Sequence, residues 1–99
     1  MEFHFVKDQQ KFVWDTTKAS TNEKKHGISF ESACMVFFDP FFMIEDAGTD
    51  SEVREAAIGH SEDLKVVYVV HVTRADDAIR IISAREATPK ERRKYEDNA

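Results

Sequence analysis

Phe3 and Phe5 alternate with polar neighbours, and so do Phe12 and Trp14 beyond the polar stretch Asp8 to Lys11. That pattern predicts a strand, a turn and a second strand, with residues 1–11 read as an edge strand or an N-terminal extension. Asp15 or Thr16 can cap a helix running to about His26, where Gly27 fits the left-handed position that ends helices. Its apolar content is thin, so its inner face must be narrow. Ser29 can cap a second helix. Phe30, Ala33, Cys34, Phe37 and Phe38 then form an apolar stripe at helical spacing, which Asp39-Pro40 stops. Strand patterns follow over Phe41 to Glu45, Val53 to Ile58, Lys65 to Thr73 and Ile79 to Ala84. The last two are joined by an Asp76-Asp77 turn and should form an antiparallel hairpin. Thr88-Pro89-Lys90-Glu91 reads as N-cap, N1 proline and capping-box glutamate, so a final helix should run from Pro89 to about Asp97. The expected fold is α+β: an antiparallel sheet meander packed with two N-terminal helices and one C-terminal helix.

Ninety-nine residues make one domain, 1–99, with enough apolar residues for a modest core. No apolar run approaches a membrane span and Cys34 stands alone, so a cytoplasmic protein without disulfides is expected. The net charge is -5, yet Arg74 to Tyr95 holds seven basic residues against four acids and is +3, which leaves -8 for the rest. A basic end sits on an acidic body. Eight Phe, five of them between Phe30 and Phe42, are generous for one small core: either the second helix packs them on the sheet or a partner or second subunit covers some of them.

No phosphate loop, nucleophile elbow or zinc-ligand pair is present, and His4, His26, His60 and His71 are scattered, so neither a metal nor a cofactor is expected. His26 can serve a helix C-terminus, His71 reads as a core or edge histidine, and His60 follows Gly59 in a loop, where site residues concentrate. Arg54 opens one predicted strand and Arg80 projects from another. Ser83 and Arg85 share the parity of Ile79 and Ile81 if that strand stays regular. Guanidinium groups on a rigid sheet suit phosphate recognition, although pairing with some of the chain's 19 acids would explain them equally. A bulge near Ser83-Ala84 would bring Arg80 and Arg85 together.

Several blocks in order resemble a known family. They are Phe12-Val13-Trp14-Asp15, Lys18-Ala19, Asn22, Lys25-His26-Gly27-Ile28 and Phe30-Glu31-Ser32-Ala33. Val36 to Pro40, Ile58-Gly59, Ile79 to Thr88 and Glu91 to Glu96 follow. Across Phe12 to Glu96 the chain is similar to the BrnT toxins. It departs from them in residues 1–11, in Thr16 where Pro is usual, in Glu23 where Leu is common, and at Asp76-Asp77.

The resemblance implies a RelE-like fold and a metal-independent endoribonuclease that inhibits translation. It also implies a ribbon-helix-helix antitoxin, BrnA, that neutralises the toxin in a hetero-oligomer and meets DNA on its behalf. On that reading Arg54, Arg80 and Arg85 bind the scissile phosphate, with Ser83, Tyr95 and His60 as supporting or proton-transfer groups. Arg92, Arg93 and His26 contact the RNA. Which group is general base and which general acid stays open. An inactive homologue acting as a binding module or corepressor is the alternative.

Overall fold

The computed structural model describes residues 1–48 and 52–98. Strands β1 (Glu2–Lys7) and β2 (Gln10–Asp15) form a tight hairpin, with Asp8 and Gln9 at the turn both at positive φ. Residues 1–11 are therefore an edge strand and its turn. Helix α1 (Thr16–His26) begins where the Asp15 carboxylate accepts the Lys18 N–H at 3.0 Å, and ends where left-handed Gly27 donates to the Glu23 carbonyl. Helix α2 (Phe30–Cys34) is capped by Ser29. It is shorter than the apolar stripe predicts, because it tightens into a 3₁₀ turn over Met35–Phe38 before Pro40. Strands β3 (Met43–Asp46), β4 (Glu55–His60), β5 (Val66–Thr73) and β6 (Ile79–Glu86) form the meander, and α3 (Pro89–Asn98) closes the chain.

The six strands lie in the order β1-β2-β6-β5-β4-β3. Every pairing is antiparallel except β2 with β6, so the sheet is mixed where a pure meander was predicted. Strand β4 starts two residues later than its apolar pattern predicts and runs through Gly59, which puts His60 on a strand end rather than in a loop. Arg54 falls just before that strand.

The core lies between one sheet face and α1, α2 and the 3₁₀ turn. Phe12, Trp14, Phe30, Val36, Val67, Val69 and Ile81 are almost wholly enclosed there. Helix α3 packs on the opposite face, where Tyr95 meets Ile58 and Val66. Of the five phenylalanines between 30 and 42, only Phe30 is buried, and Phe41 is 51% exposed.

β2 and β6 pair only at Phe12 with Ile79 and Val13 with Arg80. Beyond that point the edge of β6 would present bare backbone, a cost of a kilocalorie or more for each unmet group. Asn22 of α1 fills the gap. Its amide donates to the Ala84 carbonyl at 2.8 Å, its oxygen accepts the Ala84 N–H at 3.1 Å, and it also donates to the Ile28 carbonyl at 3.2 Å. Asn22 is the one buried residue of α1, so a polar side chain, rather than an apolar stripe, docks this helix. Asn22→Ala should cost about 2–4 kcal/mol in a denaturant titration, since it leaves Ala84 unpartnered. Asn22→Asp should not rescue it, lacking the N–H donor.

His71 lies on the core face, 2% exposed, edge-on to Phe37 at 4.9 Å, with Nδ1 3.2 Å from the Val69 carbonyl. A carbonyl only accepts, so Nδ1 carries a proton. Burial lowers its pKa below the usual 6.5, against smaller opposing effects of the Val69 contact and Glu55. The unfolded chain therefore takes the proton first, and stability should fall as pH drops below about 6.5. Urea midpoints at pH 7.5 and 5.5 should separate more for the natural sequence than for His71→Phe.

Candidate active site

Asp39 follows the 3₁₀ turn, held by its N–H to the Val36 carbonyl. Its side chain, 8% exposed, points at the end of β4. One oxygen, Oδ2, accepts the Tyr95 hydroxyl at 2.6 Å and the His60 backbone N–H at 2.9 Å, and Oδ1 accepts the Phe41 N–H at 2.9 Å. Gly59 makes this approach possible. A Cβ there would lie 3.1 Å from Asp39 Oδ2, Phe42 Cβ and Val36 Cγ1 at once.

The Tyr95 oxygen also lies 2.9 Å from His60 Nδ1. A carboxylate only accepts, so the hydroxyl proton points to Asp39, and the tyrosine oxygen must accept from His60. That assigns the imidazole proton to Nδ1 and leaves Nε2 bare, on a side chain that is 42% exposed. Beside it opens a shallow cleft of about 420 Å³ lined by Met35, Phe38, Pro40, Ser61, Glu62 and Leu64. Desolvation alone would raise the Asp39 pKa, but the bonds from Tyr95, His60 and Phe41 outweigh it and hold the carboxyl below the usual value. Burial first, then the hydrogen bond to Asp39 and its charge, push Tyr95 up to about 12. The hydroxyl is thus a fixed bridge and a poor proton carrier at neutral pH.

The arginines lie elsewhere on the same sheet. A register shift between Val70 and His71 leaves Ile82 as an extra residue in β6, so Ser83 pairs with Val70 while Ile81 pairs with His71. This bulge reverses the side-chain alternation. Arg80, Ser83 and Arg85 face Val72, Val70 and Tyr68, all on the open face away from Ile81, contrary to the parity of a regular strand. Arg80 and Arg85 nevertheless stand about 13 Å apart along the strand, four residue steps on β5.

Each strand arginine has a carboxylate. Arg85 makes a bidentate pair with Glu91 at 2.8 and 3.0 Å, and its guanidinium carbon lies 4.1 Å above the Tyr68 ring. Glu91 also accepts the Thr88 N–H at 2.9 Å and donates its own N–H to the Thr88 hydroxyl, the reciprocal box predicted for the start of α3. Glu91 is therefore depressed, first by the Arg85 bond, and Arg85 is raised, first by the same bond. Arg80 pairs with Glu2 at 3.1 Å and Arg54 with Glu52 at 2.7 Å. Arg54 sits apart, in the connection before β4. Arg92 and Arg93 are exposed on α3, and His26 is exposed at the end of α1.

The structure thus joins His60 and Tyr95, which the sequence singled out, and adds Asp39, read in the sequence only as a helix stop. The signal was an acid in an otherwise apolar block before Pro40. Arg54, Arg80 and Arg85 are not gathered at one point.

Comparison with known proteins fits this architecture. A sequence profile described as the ribonuclease toxin BrnT of type II toxin-antitoxin systems matches residues 14–91. The chain belongs to the BrnT family. The 1.1 Å crystal structure of the ribonuclease toxin BrnT of Brucella abortus is 31% identical, with a TM-score of 0.62, and the alignment covers 76% of this chain and 92% of that one. No curated protein matches significantly. Membership in a type II BrnT family implies an antitoxin partner. Among the described residues, no helix is long and apolar enough to cross a membrane, and no group of His, Cys, Asp and Glu could hold a metal.

Asp39 and Glu91 both have lowered pKa values, so the stability they confer is complete above the ordinary carboxylate range. It is lost as pH falls through their lower folded values. Asp39→Asn removes one of these titrations. Between pH 5 and 2.5 the variant's urea midpoint should therefore drop less than that of the natural chain.

Proposed function

We propose that the protein is a metal-independent endoribonuclease toxin in which His60 Nε2 is the general base, with Tyr95 and Asp39 as positioning residues. The observation that carries this reading is the Asp39–Tyr95–His60 relay, which leaves one imidazole nitrogen bare beside an open cleft in a chain of a ribonuclease toxin family. His60 Nε2 takes the proton of a ribose 2′-hydroxyl, and the 2′-oxygen attacks the adjacent phosphorus. The bond to the 5′-oxygen breaks, leaving a 2′,3′-cyclic phosphate and a 5′-hydroxyl once water in the open cleft protonates the leaving oxygen. The imidazolium that forms has the Asp39 charge one hydroxyl away, which favours it as it does in triads with a directly bonded carboxylate.

Arg85 supplies positive charge for the phosphorane. It shares the open face and the same sheet end as His60, two strands across and two residues along, about 12 Å backbone to backbone. Arg80 and Ser83 lie further along that face and serve the neighbouring chain of the substrate, with Arg92 and Arg93 on α3. Cleavage of cellular RNA halts translation in the cytoplasm. The neutralising partner is a BrnA-like ribbon-helix-helix antitoxin, which contacts DNA for the hetero-oligomer.

The test is cleavage of an unstructured RNA in EDTA. The natural chain should yield cyclic-phosphate ends, His60→Ala should lose about 10²–10⁴-fold in kcat, and Asp39→Asn or Tyr95→Phe a smaller factor without unfolding. Activity that appears only on adding magnesium or manganese overturns the mechanism. A folded chain inert on RNA that still binds its antitoxin overturns the enzyme reading in favour of a binding module.

A further inference from the structure

The space beside α1 where β2 leaves β6 is not used by the relay. It is a groove of about 300 Å³ between α1 and the bulged part of β6. Asn22 closes its floor through the Ala84 bonds, and Ile82, the extra residue of the bulge, lies at its wall with Ser83. Thr17, Lys18, Thr21, Lys25 and His26 form the helical side. Lys18 and Lys25 are seven residues apart, two turns on one face, about 10 Å from each other.

The charge of the groove is the unusual part. The chain has 19 acids, but among the described residues none lines this groove. Glu23, the one acid of α1, falls on the helix flank turned away from the Lys18–Lys25 line. Arg54, Arg80, Arg85 and Lys94 all hold carboxylates within 4 Å, whereas among the described residues neither Lys18 nor Lys25 does. Two ammonium groups without a carboxylate within 4 Å, an imidazole and the hydroxyls of Thr17, Thr21 and Ser83 are a donor set for a polyanion that carries oxygen acceptors along its length. Ile82 is the only large apolar side chain present, and no Phe, Tyr or Trp lines the groove, whose one ring is the His26 imidazole at its end. A protein partner would want an apolar anchor, and base readout would want a stacking ring. A sugar–phosphate backbone wants neither.

We propose that this groove binds the backbone of single-stranded RNA flanking the cleavage site, without regard to base identity. The inference rests on the ribonuclease reading and gives that site its extended substrate contact. α1 continues the direction of β2, which is parallel to β6. From Asn22 beside Ala84 the helix therefore runs one further turn toward the strand end that carries Arg85, to His26 at the end of the groove.

The measurement uses His60→Ala protein, so the RNA stays intact, and a fluorescein-labelled single strand of about 12 nucleotides. Anisotropy titrations run from about 50 to 200 mM KCl. Adding Lys18→Ala with Lys25→Ala should raise Kd about tenfold, and the slope of log K against log salt should flatten by about 1.4, two contacts at roughly 0.7 each. Adding Lys7→Ala with Lys11→Ala instead, the same charge change on the β1–β2 hairpin away from the groove, should leave Kd within about twofold. Equal losses in the two pairs would overturn the proposal in favour of diffuse attraction, and an unchanged Kd in the groove pair would overturn it outright. If polyglutamate of equal charge displaces the RNA at matching concentration, the groove is a seat for an acidic protein segment and the proposal fails. Because the readout is binding, it stands apart from catalysis. A natural chain that cleaves nothing while the groove pair still weakens binding refutes the ribonuclease reading alone.

Discussion

The Asn22 carboxamide solves a problem that the topology creates. A parallel strand joins β6 for two residue pairs and then must leave so that the chain can cross to α1. The β6 edge it abandons cannot stay bare beside the core, because an unpaired backbone amide there costs a kilocalorie or more. A side-chain amide has the same donor and acceptor as a peptide unit, so Asn22 acts as one residue of the missing strand. Once it is in place, α1 runs along the sheet edge, the core closes over Phe12, Trp14 and Ile28, and Gly27 ends the helix beside it. The bulge at Ile82 sits immediately before this contact, where the ladder is free to slip by one residue.

That slip reaches the opposite face. By reversing the alternation after Ile81, it turns Arg85 away from the core and onto Tyr68, where Glu91 can hold it. Glu91 is also the capping-box residue of α3, so the same carboxylate fixes the arginine and the first turn of the helix. Tyr95 lies one helical turn after Glu91 and is delivered to Asp39 and His60. Sheet irregularity, helix cap and site geometry form a single mechanical chain. Arg85 contributes to that geometry whether or not a phosphate ever reaches it, and its partly exposed pair with Glu91 alone adds only about 0–1 kcal/mol.

Much of this was legible in local signals. Asp15, Gly27, Ser29 and the Thr88–Glu91 box all act where their chemistry placed them, because caps are decided within four residues. The site was half legible. His60 and Tyr95 stand out as residue types, but their meeting depends on α3 crossing back over β4, a contact 35 residues apart in the chain that no local pattern carries. Asp39 was hidden by a second role, since an acid before proline also reads as a helix stop. The parallel β2–β6 pair escaped for a related reason: long-range pairing leaves no period in the sequence, and the bulge erased the parity argument for Ser83 and Arg85. Asn22 gave no apolar signal at all, and a helix docked by one amide looks unanchored to any hydrophobic count.

Net charge is a poor guide to what this surface can bind. An excess of five negative charges would repel a polyanion if it were spread evenly. Screening shortens the reach of exposed charges to about 8–10 Å at physiological salt, so each region acts through its own local balance. On the strands, carboxylates hold the guanidinium groups in place, and a phosphate there must displace Glu2 or Glu91 before it gains a direct contact. Along α1 no carboxylate lies within 4 Å of the Lys18 or Lys25 ammonium among the described residues, and Asp15 at the helix cap acts on Lys18 only from further off. The paired arginines, already ordered by their carboxylates, would lose little further freedom if a phosphate replaced one acceptor with another. On the sheet face a guanidinium is ordered before any ligand arrives, whereas along α1 an ammonium stays free to reorient.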